Sequence, residues 1–172
     1  MKKIIVPIFA IASFAFVACS SDDDSDNGSA SDASKIVGTW YLNHYESISR
    51  EEENQGGSIH IKGLDAVATS SNIVWEIKAN PQEIEYSGEA DIAHVSYEFI
   101  DGDTISYNTY THTLPIFEGD LFWSLDEENG TISLAPDGSY PANYTLTDDE
   151  LRIWRNESSG GSIQSIEVIL SR

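Results

Sequence analysis

Short runs in which apolar and polar residues alternate follow one another along most of the chain. The alternation is clearest in three inward-facing triplets: Ile73, Trp75 and Ile77; Val95, Tyr97 and Phe99; and Leu121, Trp123 and Leu125. In the second triplet, the outward-facing residues are predicted to be His94, Ser96 and Glu98. A period of two is typical of half-buried antiparallel strands. No stretch shows a convincing 3.6-residue apolar period, so the pattern predicts an all-β domain.

The predicted strands are separated by turn-forming residues such as Asp101-Gly102-Asp103 and Asn129-Gly130. The strands cover Ile36–His44, Ser58–Gly63, Asn72–Ala79, Glu83–Ser87, His94–Ile100, Thr104–Leu114, Leu121–Leu125, Thr131–Ala135, Asn143–Thr147, Leu151–Asn156 and Ser162–Leu170. Many short strands joined by tight turns favour an antiparallel β-barrel, with a β-sandwich as the alternative.

The N-terminal residues depart from this alternation. Lys2 and Lys3 precede an uncharged and largely apolar run, residues 4–17. That run has the length of the hydrophobic region of a signal peptide and is short of the roughly 20 residues of a membrane-spanning helix. Pro7 also disfavours a regular helix through the run. We therefore predict that residues 1–18 are a signal peptide that is removed.

The run ends in Phe16-Val17-Ala18-Cys19, which resembles the lipobox of bacterial lipoproteins, with Phe16 in place of the usual Leu. In that family the Cys thiol receives a diacylglyceryl group, and the amine exposed by cleavage can also be acylated. The resemblance implies that Cys19 carries lipid and that a membrane is a partner. Because Cys19 is the only cysteine, none remains for a disulfide, a thiolate metal site or a nucleophile.

Residues 19–34 are predicted to be the lipidated cysteine followed by a disordered acidic tether, because they are rich in Ser and Asp and hold no large apolar residue. The start of the tether resembles the acidic export signal of surface lipoproteins in the Bacteroidota, on Ser20, Ser21, Asp22, Asp23 and Asp24. The resemblance implies a domain on the cell-surface side of the outer membrane. The alternative is a plain linker on a lipoprotein that faces the periplasm.

The formal net charge of the chain is −20. Removing residues 1–18 takes away Lys2 and Lys3 but no acidic residue, so the mature chain is more acidic by two charges. Such a surface repels nucleic acid and anionic lipid. We therefore expect no nucleic acid partner.

The remaining segment, 35–172, has the length of one domain. Its Gly38-Thr39-Trp40 resembles the Gly-x-Trp with which lipocalins begin their first strand, and residues 144–153 and 166–172 resemble the closing strands of lipocalin-like domains. The resemblance implies an up-and-down β-barrel in which Trp40 plugs one end and an Arg stacks on it. The candidates for that Arg are Arg152, Arg155 and Arg172. The Thr-Asp-Tyr signature of classical lipocalins is absent, and residues 46–120 show little resemblance.

The chain contains none of the common catalytic motifs. Glu83 and Glu85 share a strand face, as paired carboxylates do in glycosidases, but an acidic chain places such pairs by chance. Single histidines lie far apart in the sequence, at His44, His60, His94 and His112. We therefore predict no catalytic residue, no metal site and no cofactor, and we do not expect an enzyme.

The predicted function is the binding of a small hydrophobic or amphipathic ligand in the mouth of the barrel. One alternative is a glycan-binding or adhesion module for nutrient uptake, which would use exposed aromatic residues such as Tyr107, Tyr110 or Trp154. Another is a structural lipoprotein that packs against an outer-membrane complex.

Overall fold

The computed structural model describes residues 31–114, 121–135 and 141–172. Within them lie one short helix and twelve strands: α1 (Asp32–Ile36), β1 (Gly38–Gln55), β2 (Ser58–Ser71), β3 (Val74–Ile77), β4 (Glu83–Ser87), β5 (Ala90–Ile100), β6 (Asp103–Leu114), β7 (Leu121–Phe122), β8 (Ser124–Asp126), β9 (Thr131–Ser133), β10 (Ala142–Leu146), β11 (Glu150–Ser159) and β12 (Ser162–Ser171). The predictions for residues 1–30, including lipid attachment at Cys19 and the export signal, lie outside this range. No helix among the described residues is long and apolar enough to cross a membrane.

All twelve strands belong to one antiparallel sheet, which confirms the all-β prediction. The main path of hydrogen-bonded neighbours is β6-β5-β2-β1-β12-β11-β10-β9-β8. A branch leaves β1 and runs through β3 and β4 to β7. In the described residues this path does not close into a barrel through hydrogen bonds, and it does not divide into the two sheets of a sandwich.

Several strands are longer than the alternation predicted. β1 runs for 18 residues and β2 for 14, whereas the sequence pattern ended both of them early. Ser, Glu and Thr side chains interrupt the apolar alternation there, but the backbone ladder between β1 and β2 continues without a break to Gln55 and Ser58. A turn at Gly56 and Gly57, both with positive φ, then closes this hairpin. β4 has the predicted bounds.

The buried side chains gather in one part of the domain, which we call the core end (residues 36–46, 66–92, 121–135, 141–153 and 168–172). Three tryptophans fill its centre, namely Trp40, Trp75 and Trp123, with at most 4% of each side chain exposed. Ile73 and Ile77 are buried with Trp75, which confirms the first predicted triplet. Short helix α1 closes this end by inserting its buried last residue, Ile36.

Beyond the core end, β6, β5, β2, β1, β12 and β11 continue as what we call the extended sheet (residues 47–65, 93–113 and 154–167). No residue in these three ranges is buried, whichever face of the sheet it occupies. The sheet is therefore a single layer here, as far as the described residues show. It ends in three tight hairpins, at residues 56–57, 101–102 and 160–161.

One predicted orientation is wrong. His94 lies on the same face as Ile92, which is buried in the core, and Ala66 is its direct neighbour on β2. Val95, Tyr97 and Phe99 therefore lie on the face directed away from the core. We predicted that His94 points outward because the more apolar face of a strand usually faces the core. This part of β5, however, extends past the core end, so neither of its faces is buried.

Candidate functional site

One face of β1, β12 and β11 changes stepwise from apolar to polar as these strands leave the core. Residues that pair across neighbouring strands share a face and form rows. From the core outward the rows are Leu42, Leu170 and Leu151; Tyr45, Val168 and Ile153; Ser47, Ile166 and Arg155; and Ser49, Gln164 and Glu157. We call this the core-side face. The first row is buried, the third is half-buried, and the fourth is exposed.

An open groove of about 380 Å³ lies over the third and fourth rows. It is lined by Ser47, Ile48, Ser49, Arg155, Glu157, Gln164, Ser165 and Ile166. Ile166 packs against the core, so the groove has an apolar floor where it meets the core end. Arg155 donates a hydrogen bond to Glu157 and places a positive charge on the groove wall. The groove is thus amphipathic, with apolar, hydroxyl, amide and charged groups together.

The same two rows continue across the rest of the extended sheet. The third row passes from Ser47 to Ala66, His94 and Tyr110. The fourth passes from Ser49 to Leu64, Ser96 and Asn108. Neighbouring strands lie about 4.8 Å apart, so six strands offer a surface roughly 24 Å wide. The groove is one end of this wider amphipathic surface.

His94 is at the centre of an aromatic cluster at the other end. Its ring stacks on Tyr110 with 4.8 Å between centroids, and it meets the edge of His112 at 5.7 Å. Its Nδ1 is buried and has no hydrogen-bond partner among the described residues. Burial lowers the pKa of His94, and the nearby His112 lowers it further. The imidazole is therefore held neutral at physiological pH.

The opposite face of the extended sheet carries a different set of side chains. A row there runs through Ile163, Arg50, Gly63, Tyr97 and Tyr107. The Tyr97 ring lies over Gly63, where any side chain would collide with it. The Tyr97 hydroxyl is 3.4 Å from the carboxylate of Asp65, and burial followed by this carboxylate raises the pKa of Tyr97.

The three aromatic residues predicted for glycan binding do not form one strip. Tyr107 and Trp154 share the opposite face but lie on β6 and β11, at the two edges of the extended sheet. Tyr110 lies on the core-side face beside His94. Trp154 is covered in part by the guanidinium of Arg152, 5.3 Å from its ring centroid.

The structure brings together a possible ligand set for a metal ion that the sequence did not indicate. His44, Glu46 and Glu167 each offer one ligand atom, and these atoms lie within 4.8 Å of one another. Glu46 and Glu167 are direct partners across β1 and β12, a register that spacing in the sequence does not reveal. Arg152 already pairs with Glu167, so a cation would have to compete with it. Of the four histidines, only His94 and His112 have their rings in contact.

Glu83 and Glu85, the carboxylates that share a strand face, are held by one cation. Lys78 lies 3.4 Å from Glu83 and closer still to Glu85. The hydrogen bond to Glu85 is the main cause that raises the pKa of Lys78. The three side chains form an ion-paired cluster at the surface.

The predicted contact between Trp40 and an arginine is made by Arg172. Its guanidinium carbon lies 4.1 Å from the centroid of Trp40. It also donates hydrogen bonds to the carbonyls of Lys35 and Val37, the latter at 3.1 Å. Gly38 has a φ of +134° here, a conformation that side-chain-bearing residues rarely adopt. Of the other two candidates, Arg152 contacts Trp154 and Arg155 lines the groove.

Comparison with known proteins identifies no relative of this chain: no family model, no curated protein and no solved structure matches it. The assignment of a function therefore depends on the side chains themselves. The amphipathic groove around Ile166 and Arg155 is the arrangement with the clearest binding chemistry.

Proposed function

We propose that this protein is a lipid-anchored outer-membrane lipoprotein whose lipocalin-like domain binds a small amphipathic ligand on its core-side face. The observation that carries the proposal is the groove in which apolar Ile166 lies between Ser47 and charged Arg155. An apolar body would pack on Ile166 in the groove and extend along the same face to Leu64, the neighbour of Ser49 on β2. A polar head would meet Arg155 or the serine hydroxyls. The ligand would lie in this open groove, because tryptophan and aliphatic side chains fill the core end.

Two observations support a lipocalin-like, barrel-related arrangement of the core end. β7 ends the branch that starts at β1, and β8 ends the main path. Only Trp123 separates β7 from β8, so the two ends of the sheet are consecutive along the chain, as a lipocalin-like ring of strands would require. The contact of Arg172 with Trp40, beside Gly38, is the one that the resemblance to lipocalins implies.

Binding on the core-side face is tested with 1-anilinonaphthalene-8-sulfonate, an anionic amphipathic dye, and a soluble chain that begins at residue 31. Leu64 and Ile163 are 39% and 44% exposed and lie on the core-side and opposite faces. Removing most of an apolar contact of this size costs about 1.4 kcal/mol, or tenfold in affinity. We expect Leu64→Ser to weaken dye binding about tenfold and Ile163→Ser to change it less than about twofold. Equal losses from both variants would contradict a groove on the core-side face.

Lipid attachment is tested by growing a producing bacterium with radioactive palmitate. We expect the wild-type chain to be labelled and Cys19→Ser to be unlabelled and to retain residues 1–18, because cleavage follows modification of the thiol in lipoproteins. Labelling that persists in Cys19→Ser would exclude Cys19 as the lipid site. Protease added to the intact labelled cells should digest the domain if it faces outward, whereas protection would place it on the periplasmic side.

A further inference from the structure

Strand β6 forms one edge of the sheet. Among the described residues its only strand partner is β5, so one side of β6 presents backbone N–H and C=O groups that no other strand uses. Every residue from Asp101 to Thr113 is exposed. β6 is also twelve residues long, which is unusual for an unprotected edge.

Most of β6 lacks the residue types that usually prevent an edge strand from pairing with another chain. Thr104–Leu114 contains no Asp, Glu, Lys, Arg or Pro, although charged residues make up 22% of the chain. Native edges are usually blocked by charges, prolines, bulges or short length. Of these, β6 has a register shift near its start, opposite Glu98 and Phe99, and the ladder from Ser106 to Leu114 is regular. β6 instead exposes large apolar or aromatic side chains at Ile105, Tyr107 and Tyr110, with 55%, 63% and 37% of each accessible. Its Thr and Tyr residues strongly favour β-structure.

We propose that β6 pairs antiparallel with β6 of a second copy of this chain, about a two-fold axis. The distribution of charge favours this partner. Two copies of a chain with net charge −20 repel each other over most of their surfaces, but the Thr104–Leu114 segment of β6 contains no Asp, Glu, Lys or Arg. In a pair centred near Thr109, Asp103 of one copy lies beyond Leu114 of the other, so no carboxylate faces another within the paired segment.

Such pairing is isologous, since the same strand contributes from both copies. It joins the two extended sheets into one, satisfies the free backbone groups of both edges, and covers part of Tyr107 in each copy. The core-side faces of both copies then lie on the same side of the joined sheet. The inference does not depend on the identity of the ligand or on lipid attachment.

The test is disulfide trapping of the full chain in intact cells of a producing bacterium, in whichever cell fraction holds the chain. Single substitutions Tyr107→Cys, Thr109→Cys and Thr111→Cys place thiols along one face of β6, and the unsubstituted chain reports any background from Cys19. Ser49→Cys is the matched control, because Ser49 is exposed on β1 with strand partners on both sides. Paired strands bring Cα atoms within disulfide range only near the axis. We expect one β6 position to give a dimer at least about tenfold more abundant than Ser49→Cys gives.

A charge placed on the edge should then prevent the pairing. Ser106→Lys is added to the best-trapped variant, and Thr145→Lys, at an exposed position of β10, is the control. We expect Ser106→Lys to reduce the trapped dimer about tenfold and Thr145→Lys to leave it unchanged, with circular dichroism of both confirming folding. Trapping no greater than in Ser49→Cys, crosslinks to a different protein, or insensitivity to Ser106→Lys would overturn the proposal. Asn108→Cys replaces any β6 variant that fails to fold.

Discussion

The two parts of this domain use the same strands in different ways. β12 shows the contrast within ten residues: Leu170 in the core end is fully buried, whereas Ile163 in the extended sheet is 44% exposed. β11 and β1 show the same change along their length, from buried leucines to Arg155, Ser49 and Glu157.

The comparison separates what stabilises the domain from what is available for binding. Each fully buried aliphatic side chain at the core end contributes about 1.5–3 kcal/mol to folding. In the extended sheet, cross-strand hydrogen bonds fix the positions of side chains that contribute little to stability by burial. A rigid ladder with exposed side chains is a suitable framework for a binding surface, because substitutions there leave the fold intact.

The largest expected effect comes from truncating the same kind of side chain in the two parts of β12. Leu170→Ala should lower the free energy of unfolding by about 3 kcal/mol, because it leaves a cavity among fully buried neighbours. Ile163→Ala should lower it by less than about 1 kcal/mol, since water already reaches the side chain. Urea denaturation of the soluble chain followed by Trp fluorescence measures both. Similar losses would show that the extended sheet is packed in solution against something that covers it.

A smaller difference is expected between two arginines that each contact a tryptophan. Arg172 lies over buried Trp40 and donates to two carbonyls near α1, so Arg172→Ala should cost about 2 kcal/mol. Arg152 contacts half-buried Trp154 and pairs with Glu167 at the surface, so Arg152→Ala should cost less than about 1 kcal/mol.

High salt sharpens this second comparison. The ion pair between Arg152 and Glu167 is solvent-accessible, so 1 M NaCl should remove most of the cost of Arg152→Ala. The cost of Arg172→Ala should largely persist, because its neutral carbonyl partners and the Trp40 ring are screened less. If 1 M NaCl abolished the loss of unfolding free energy caused by Arg172→Ala, the contribution of Arg172 to stability would come mainly from surface charge and not from its contacts with Trp40 and the two carbonyls.

Local sequence signals were enough for the fold class and for most strand positions. The alternation at Ile73, Trp75 and Ile77 and the bounds of β4 needed only neighbouring residues. The full lengths of β1 and β2 could not be predicted from the sequence. Residues beyond Ser47 alternate between two faces that are both polar or half-exposed, so no apolar face marks these strands. Alternation of apolar and polar residues reveals a strand only where one face is buried, and the extended sheet has no buried face among the described residues.

The candidate site was much less predictable than the fold. The resemblance to lipocalins correctly indicated that an arginine would contact Trp40, but it could not choose Arg172 from three candidates. The groove depends on the register that places Ser47 and Arg155 on either side of Ile166. Such long-range pairing is set by the whole sheet, and no spacing in a single sequence reveals it.

The smallest expected effect concerns two tyrosine hydroxyls, one in each part. The Tyr144 hydroxyl at the core end donates to Asp32 at 3.0 Å, and its side chain is 8% exposed. The Tyr97 hydroxyl lies 3.4 Å from Asp65, at the limit of a hydrogen bond. At neutral pH, Tyr144→Phe should lower the free energy of unfolding by about 1 kcal/mol, and Tyr97→Phe should leave it nearly unchanged.

Alkaline pH extends this comparison with a defined sign. Burial, followed by the hydrogen bond to Asp32, raises the pKa of Tyr144 to about 12 from its ordinary value of 10.0. The unfolded chain therefore loses this proton first, and the stability that Tyr144 contributes is complete below pH 10 and declines as pH rises to about 12. Unfolding free energies measured across that interval should fall less steeply for Tyr144→Phe than for the wild type, while Tyr97→Phe should follow the wild type more closely. Parallel curves for the wild type and Tyr144→Phe would mean that this hydroxyl is open to solvent and that α1 does not cover it.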